Sequence, residues 1–455
     1  MTAVEGYADA ELVEGDRIEL VTGAPAHGGH CVARIGGEHG RVVFVRHALP
    51  GERVTAEITE LHRGYLRADA VAVHDASPDR VTPPCPYAHP GGCGGCDLQH
   101  VAPAAQREWK TAVVRDLLGR MGGLSGERLD ALDPTVRPLP GGPLGWRSRI
   151  RYAVDAADRP GLLKHRSHEV VPIDFCRIAH PRLRELDVTS RLWPGVTSVE
   201  AVASTGGDVT VVARAATPAA RGADPPVRPA GARAGRADPA DGVAGDSLLD
   251  EAHGGERVLL EGTPQVRELA AGREWHVPAE GFWQIHPAAA DTLVDAVLEL
   301  LRPEPGEVCW DLYGGAGLFA AAVAERTGAR TTVVESSPEG VAAARHNLAG
   351  VTGAEVVAAR VDAALARRRI AGPVDLVVLD PPRSGAGARV VRAVVAARPR
   401  AIAYVACDPA ALARDVRTFA EEGWQVEALR AYDCFPMTQH VECVALLIPD
   451  ETSVI

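Results

Sequence analysis

Lysine is nearly missing from this chain of 455 residues: only Lys110 and Lys164 occur, so arginine carries almost all of the positive charge. An arginine- and alanine-rich composition is the mark of GC-rich coding, and no function is attached to it. Net positive charge is lacking too, with Asp and Glu at 60 against Lys and Arg at 48, for a formal charge of −12. That excludes a histone-like protein that coats nucleic acid by bulk charge, and leaves room for a local basic groove. No apolar run approaches the roughly 18 residues of a membrane-crossing helix. The acidic start, MTAVEGYADAELVEGDRIEL, lacks the apolar core of a signal peptide. The expectation is a cytoplasmic protein with reduced thiols, no membrane partner and no evident obligate protein partner. Tandem repeats are absent. What is present is ordinary globular composition, 46% hydrophobic and 24% charged, which excludes a wholly disordered or fibrous chain. The length predicts about three domains.

Residues 14–75 read as five short strands separated by turn signals such as Gly28-Gly29, Gly36-Gly37 and Pro50-Gly51. That spacing predicts a small barrel or sandwich. Pro78, Pro83, Pro84 and Pro86 mark a boundary, followed by a cysteine-rich loop at 85–100. A helix follows over about 103–121, with Trp109, Val113, Leu117 and Met121 on one face. Strand-like runs and basic turns alternate over 144–212. From Leu144 to Arg184, nine Arg or Lys face four acids, a local charge of +5. Arg147, Arg149, Arg151, Lys164 and Arg166 are the candidates of that stretch for a local basic surface. Residues 215–256, rich in Ala, Gly, Pro, Arg and Asp without periodicity, are expected to be a disordered insertion.

From about 286 the pattern becomes β/α. Strands are expected at 308–314, 331–335, 355–361, 374–380 and 401–407, with helices at 288–301, 317–327, 338–349, 387–396 and 409–421. Two final strands suggest an antiparallel edge. Alternation of this kind predicts a mostly parallel sheet with ligands at the carboxyl ends of its strands.

Chemistry-bearing residues gather at those ends. Asp311-Leu-Tyr-Gly-Gly-Ala-Gly317 joins a strand to a helix, where glycines admit a ligand close to the backbone and free N–H groups face it. Glu335 closes the next strand, where an acid can bind a ribose hydroxyl pair. Nicotinamide cofactors and S-adenosylmethionine both satisfy this much. Asp380-Pro-Pro-Arg-Ser-Gly385 leaves the fourth strand by a rigid, extended exit. Cys407 ends the fifth strand before a Pro-started helix, whose N-terminus is expected to lower the thiol pKa and create a nucleophilic thiolate. Glu442, between Val441 and the apolar run from Cys443, is expected to be partly buried with a raised pKa suited to proton transfer.

Nine cysteines in a reducing compartment require another explanation than disulfides. Cys85, Cys93 and Cys96 lie within twelve residues, in a loop containing Gly-Gly-Cys-Gly-Gly-Cys. Three thiolates need a fourth soft ligand, and a set of four suits either zinc or an iron–sulfur cluster. His89, His100 and His180 are read as surface histidines.

Together, DLYGGAG (311–317), DPPRSG (380–385), YVACDP (404–409) and FPMTQHVE (435–442) resemble the S-adenosylmethionine-dependent RNA uracil-5-methyltransferases. GFWQIH (281–286) is similar to that family's Phe-x-Gln segment, and 14–75 resembles a TRAM domain. The resemblance implies a class I methyltransferase α/β fold, Rossmann-like with a mostly parallel sheet, over 271–455. It also implies an OB-like RNA-binding β-barrel at 14–75 and a cluster-binding central domain at 76–270. It assigns Cys407 as the nucleophile that adds to carbon 6 of uracil and Glu442 as the base that removes the proton from carbon 5. It places Gln284, Tyr313, Gly315, Gly317, Glu335, Asp362 and Asp380 around S-adenosyl-L-methionine. It makes Cys85, Cys93, Cys96 and Cys176 ligands of a 4Fe–4S cluster, in preference to zinc.

The implied substrate is a uridine of a structured RNA, presented in a loop or flipped from its stack. The combination of TRAM domain and cluster favours 23S rRNA over tRNA. The alternatives are methylation of another RNA or protein substrate, and an RNA-binding protein with an inactive methyltransferase fold. Electron transfer by the cluster is a further alternative. The chain departs from the family pattern at His286, Ala406, Asp408 and in its glycine turn, where Leu318 offers no polar group.

Overall fold

The computed structural model describes residues 12–37, 39–216, 255–328 and 330–450. Most of the 215–256 segment, residues 217–254, lies outside them. Three large sheets and one two-stranded sheet organise the described residues.

The first is a six-stranded sheet in the order Arg17–Val21, Arg53–Leu61, Tyr65–Asp75, Arg41–Arg46, His30–Ile35, Pro25–Ala26. It curls until Arg17–Val21 meets His30–Ile35, giving a barrel. Alternation does the work: along Arg17–Val21 only Ile18 and Leu20 point inward. They join Val43, Val45, Val54, Ile58 and Leu66 in the barrel core. Arg41–Arg46 runs parallel to Tyr65–Asp75, and the other neighbours are antiparallel.

The second sheet is antiparallel, in the order Val170–Pro172, Pro160–Leu163, Arg149–Val154, Val196–Ala203, Val209–Ala215, Arg257–Glu261. The preceding helix does not pack on it. Helix Pro103–Arg120 buries Trp109, Val113, Val114 and Leu117 in the same core as Phe419, Trp424 and Val426, from the C-terminal part of the chain.

The third sheet has eight strands, in the order Ala354–Ala358, Thr331–Glu335, Cys309–Leu312, Leu376–Leu379, Ala401–Ala406, Glu442–Pro449, Trp424–Asp433, Val136–Pro138. The first five are mutually parallel, and Glu442–Pro449 runs antiparallel to Ala401–Ala406. Cys309–Leu312, Leu376–Leu379 and Ala401–Ala406 are buried throughout, as parallel strands covered by helices on both faces must be. This is the mostly parallel Rossmann-like architecture expected from the sequence.

Three details differ. The third strand ends at Ala358 and is followed by a short helix, Val361–Ala366, that the sequence reading omitted. The C-terminal pair is not the sheet edge, because Val136–Pro138 adds outside it, parallel to Trp424–Asp433. A hairpin, Gln265–Ala270 with Arg273–Pro278, places Trp275 and Val277 in the core under Cys309–Leu312. Among the described residues no helix is long and apolar enough to cross a membrane.

Candidate active site

Strand order reverses between Cys309–Leu312 and Leu376–Leu379, and the crevice at their carboxyl ends is where such folds bind ligands. A cleft of about 1020 Å³ opens there. Its walls include Gln284, Tyr313, Gly315, Glu335, Asp362, Asp380, Cys407 and Glu442. Residues between 277 and 285 and between 313 and 442 meet across it, with Arg149 from the second sheet. Gly317 is not on its wall. With φ of +90° it starts helix Leu318–Thr327, and a Cβ there would meet Leu348 Cδ1 at 2.9 Å. Leu318 is buried in the core.

The glycine turn is bound from two sides. Asp311 Oδ2 accepts from Ala320 N at 2.9 Å, while its Oδ1 is buried without a partner. Burial lifts this carboxyl to about 7, and Glu335 adds to the effect. Glu335 accepts from Gly315 N at 3.1 Å and from Ser336 N and Ser337 N at 2.6 Å each. Tyr313 holds φ of +64° between strand and turn, a strained position for a side chain with a Cβ. Asp362, in the first turn of the short helix, pairs with Arg360 at 3.2 Å, which holds its carboxyl below the usual range.

The Asp380–Ala386 loop is anchored by Asp415, a residue the sequence reading passed over. Its carboxylate accepts from Ala386 N at 2.7 Å and Tyr404 Oη at 2.6 Å. Gly385, with φ of +86°, is required because a Cβ would lie 2.8 Å from Asp415 Oδ2. Burial, reinforced by Asp311, raises the Asp380 carboxyl to about 7.

Cys407 and Glu442 face each other by register. Ala406 pairs with Cys443, so one step further along the antiparallel ladder sets Cys407 opposite Glu442. Burial pushes Glu442 well above the carboxylate range, and Asp380 adds to it while Arg383 opposes. The thiol overturns the expectation of a lowered pKa. Burial, then the charges of Glu442, Asp380 and Asp408, lift Cys407 to about 12, with Arg383 opposing. Helix Pro409–Glu421 does start just beyond, but its N-cap is taken by Asp408, which accepts from Ala411 N at 2.7 Å. Asp408 also pairs with His27 of the barrel at 3.1 Å, which accounts for an acid at this position. His286 lies behind the cleft wall, stacked on Trp146 with ring centroids 5.9 Å apart.

Cys85, Cys93, Cys96 and Cys176 line a second, separate cavity, with Tyr87, Arg147 and Phe175. The loop closes tightly: a Cβ on Gly94 would lie 2.4 Å from His165 N, and one on Gly92 would lie 2.3 Å from Tyr87 O. All four are free cysteines. Among the described residues no group of three or more His, Cys, Asp or Glu side chains is arranged to hold a metal ion. None of His89, His100 and His180 lines the cavity. His100 is not a surface residue: it is buried, with Nε2 3.4 Å from Ala48 O.

The basic stretch is not the open surface expected of it. Arg149 reaches into the cleft wall and donates to Gly281 O. Arg151 pairs with buried Glu200 at 3.1 Å, Lys164 with Glu169 at 3.6 Å and Arg166 with Glu60 at 3.6 Å. Arg147 donates to Arg149 O at 3.0 Å and borders the cysteine cavity. Arg149, Arg151 and Arg166 are therefore engaged by partners outside the stretch.

Residues 14–71 match the TRAM domain, and residues 268–449 match the tRNA (Uracil-5-)-methyltransferase family. An uncharacterized RNA methyltransferase of Streptomyces avermitilis is 49% identical over 96% of this chain and 99% of its own length. The 23S rRNA (uracil(1939)-C(5))-methyltransferase RlmD of a Shewanella species is 31% identical, over 92% of this chain and 93% of its own. The fold is similar to that of the Pyrococcus abyssi tRNA (uracil-54, C5)-methyltransferase solved with S-adenosyl-L-homocysteine. That match has a TM-score of 0.63 at 23% identity, covering 95% of this chain and all of the other. The chain belongs to the RNA (uracil-5-)-methyltransferase family.

Proposed function

We propose that this enzyme methylates carbon 5 of a specific uridine in a structured RNA, 23S rRNA in preference to tRNA, through a covalent Cys407–uracil adduct. The register that sets Cys407 opposite Glu442 in one cleft carries the reading. Carbon 5 of uracil is a poor nucleophile until a thiolate adds to carbon 6, so a thiol and a base on opposite sides of one ring suit this reaction. Methylation of an already nucleophilic nitrogen needs no such thiol.

Gln284, Tyr313, Gly315, Glu335, Asp362 and Asp380 would hold S-adenosyl-L-methionine. When bound, it supplies the electrophilic methyl group that carbon 5 attacks. Burial holds the Cys407 thiol above its usual range and Arg383 opposes that shift, so Arg383 would favour the thiolate that attacks uracil. Burial, by pushing Glu442 toward its protonated form, lessens the repulsion its carboxylate exerts on that thiolate. Once ionised, its raised pKa makes it a stronger base toward the proton on carbon 5.

Cys85, Cys93, Cys96 and Cys176 would hold a 4Fe–4S cluster in a structural role, a reading supported by four free thiols lining one cavity. The preference for 23S rRNA is supported by the barrel, this cysteine set and the 23S rRNA (uracil-C5) activity of the Shewanella relative.

The test uses transcripts of 23S rRNA and of tRNA with methyl-labelled S-adenosylmethionine. The expected result is label in 5-methyluridine of 23S rRNA, lost in Cys407→Ala while RNA binding persists. Label on another nucleotide, or normal turnover by Cys407→Ala, would refute the proposal.

A further inference from the structure

His440 lines the cleft together with Cys407 and Glu442, two residues before the latter. Its backbone N donates to Thr438 Oγ1 at 3.3 Å, and its ring meets Phe435 edge-on at 5.9 Å. The ring orientation is therefore determined by its own loop. Its protonation is determined from further away.

Gln439 Oε1 accepts from Gly28 N of the barrel at 3.2 Å. An N–H can be satisfied only by the carbonyl end of an amide, so the Gln439 NH₂ points the other way. That NH₂ lies 3.2 Å from His440 Nδ1. An NH₂ only donates, so Nδ1 accepts and the ring proton sits on Nε2. Gln439 is itself held, with its backbone N donating to Asp97 Oδ2 at 3.1 Å. Burial and the charges of Arg383, Lys110 and His27 pull His440 down to about 3, against Asp408, so the ring is neutral near pH 7.

We infer that His440, through Nε2–H, donates a hydrogen bond to O4 of the target uracil and stabilises the enolate formed on thiol addition. Gln439 acts as a positioning residue for that proton. The inference rests on the uridine chemistry proposed above and adds a residue to it. In the step concerned Cys407 loses its proton to solvent and the Sγ–C6 bond forms. The C5–C6 π pair moves to C4–C5, and the C4–O4 π pair moves onto O4. Negative charge appears on O4 only as the adduct forms, so a donor placed there favours the transition state over bound substrate.

The experiment uses the whole enzyme, S-adenosylmethionine, and 23S rRNA and tRNA transcripts made with 5-fluorouridine. A fluorine on carbon 5 cannot leave as a proton does, so the adduct accumulates and its rate is read on denaturing gels. His440→Phe is expected to slow adduct formation about a hundredfold, with RNA affinity within about twofold of wild type. His440→Gln, which keeps a donor and the cleft polarity, is expected to recover at least about tenfold of that loss. Gln439→Leu is expected to give an intermediate rate and to abolish the single Nε2–H tautomer signature in ¹⁵N spectra of the histidine. Adduct formation by His440→Phe at the wild-type rate would overturn this inference alone. No adduct from the wild-type enzyme on either transcript would overturn the uridine reading, and this inference with it.

Discussion

Lys110 Nζ donates a hydrogen bond to Asp433 Oδ1 at 2.6 Å, and neither side chain is exposed to solvent beyond a few per cent. The same ammonium donates to Phe435 O at 3.0 Å. Beside it, Gln106 accepts from Met437 N at 2.9 Å. Helix Pro103–Arg120 thus pins the loop that runs from Asp433 to Glu442. Removing Lys110 leaves a carboxylate buried without its partner. Lys110→Met is expected to lower stability by about 3–5 kcal/mol, and the double change with Asp433→Leu to recover most of it. Urea denaturation checks this; a loss under about 1 kcal/mol in the single variant would contradict it.

With a thiol at about 12, Cys407 should be inert to alkylation near neutral pH in the free enzyme. Its reaction with iodoacetamide is expected to rise about tenfold per pH unit between 7 and 9.5, following the thiolate fraction. Mass spectrometry of the labelled peptide reads this directly. A plateau below pH 9 would mean that the thiol is already ionised there.

Glu442→Gln removes the base but keeps the shape of the site. Covalent protein–RNA adduct is then expected to accumulate with unmodified RNA, since carbon 5 keeps its proton. Release at the wild-type rate would take the role from Glu442.

Asp380 titrates at about 7 in the fold against an ordinary value of 3.8. The folded protein therefore holds a proton that the unfolded chain has released, and stability falls as pH rises from about 4 through 7. Asp311 shifts in the same direction for the same reason. Asp380→Asn is expected to remove its share, about 2–4 kcal/mol, and to flatten the decline in melting temperature between pH 5 and 8. An unchanged slope would show that the Asp380 carboxyl is not held protonated.

Anaerobically purified protein is expected to contain iron and sulfide in the ratio of a four-iron cluster. Cys176→Ser should lose both together with solubility or fold. Stoichiometric zinc would sink the iron–sulfur assignment.

Much of the cleft was legible beforehand because buried parallel strands are continuous apolar runs. Where such a run stops at Tyr313, Glu335, Asp380 or Cys407, the polar residue must stand at the sheet's carboxyl edge. His440 and Asp311 lay in quoted motifs, yet nothing local marked them as cleft or orphaned groups. Asp415 gave no signal, since its partners Ala386 and Tyr404 come from a different loop and strand. The basic stretch misled for a related reason. Charge along 144–184 is a local property, but Glu200, Gly281 and Glu60, which engage Arg151, Arg149 and Arg166, are distant in sequence.

Local pattern alone determined most of the strand and helix succession from residue 286 onward, the glycine turn, the three clustered cysteines and the order of reactive residues along the chain. Those follow from periodicity and from the backbone demands of Gly and Pro, which act over a few residues. Tertiary structure alone decided charge states and partners. It set Cys407 opposite Glu442 and raised both pKa values, because burial and facing carboxylates depend on which strands pair. It also brought the barrel's His27 and Gly28 to Asp408 and Gln439, more than 370 residues away. No local pattern reports a contact between segments that far apart.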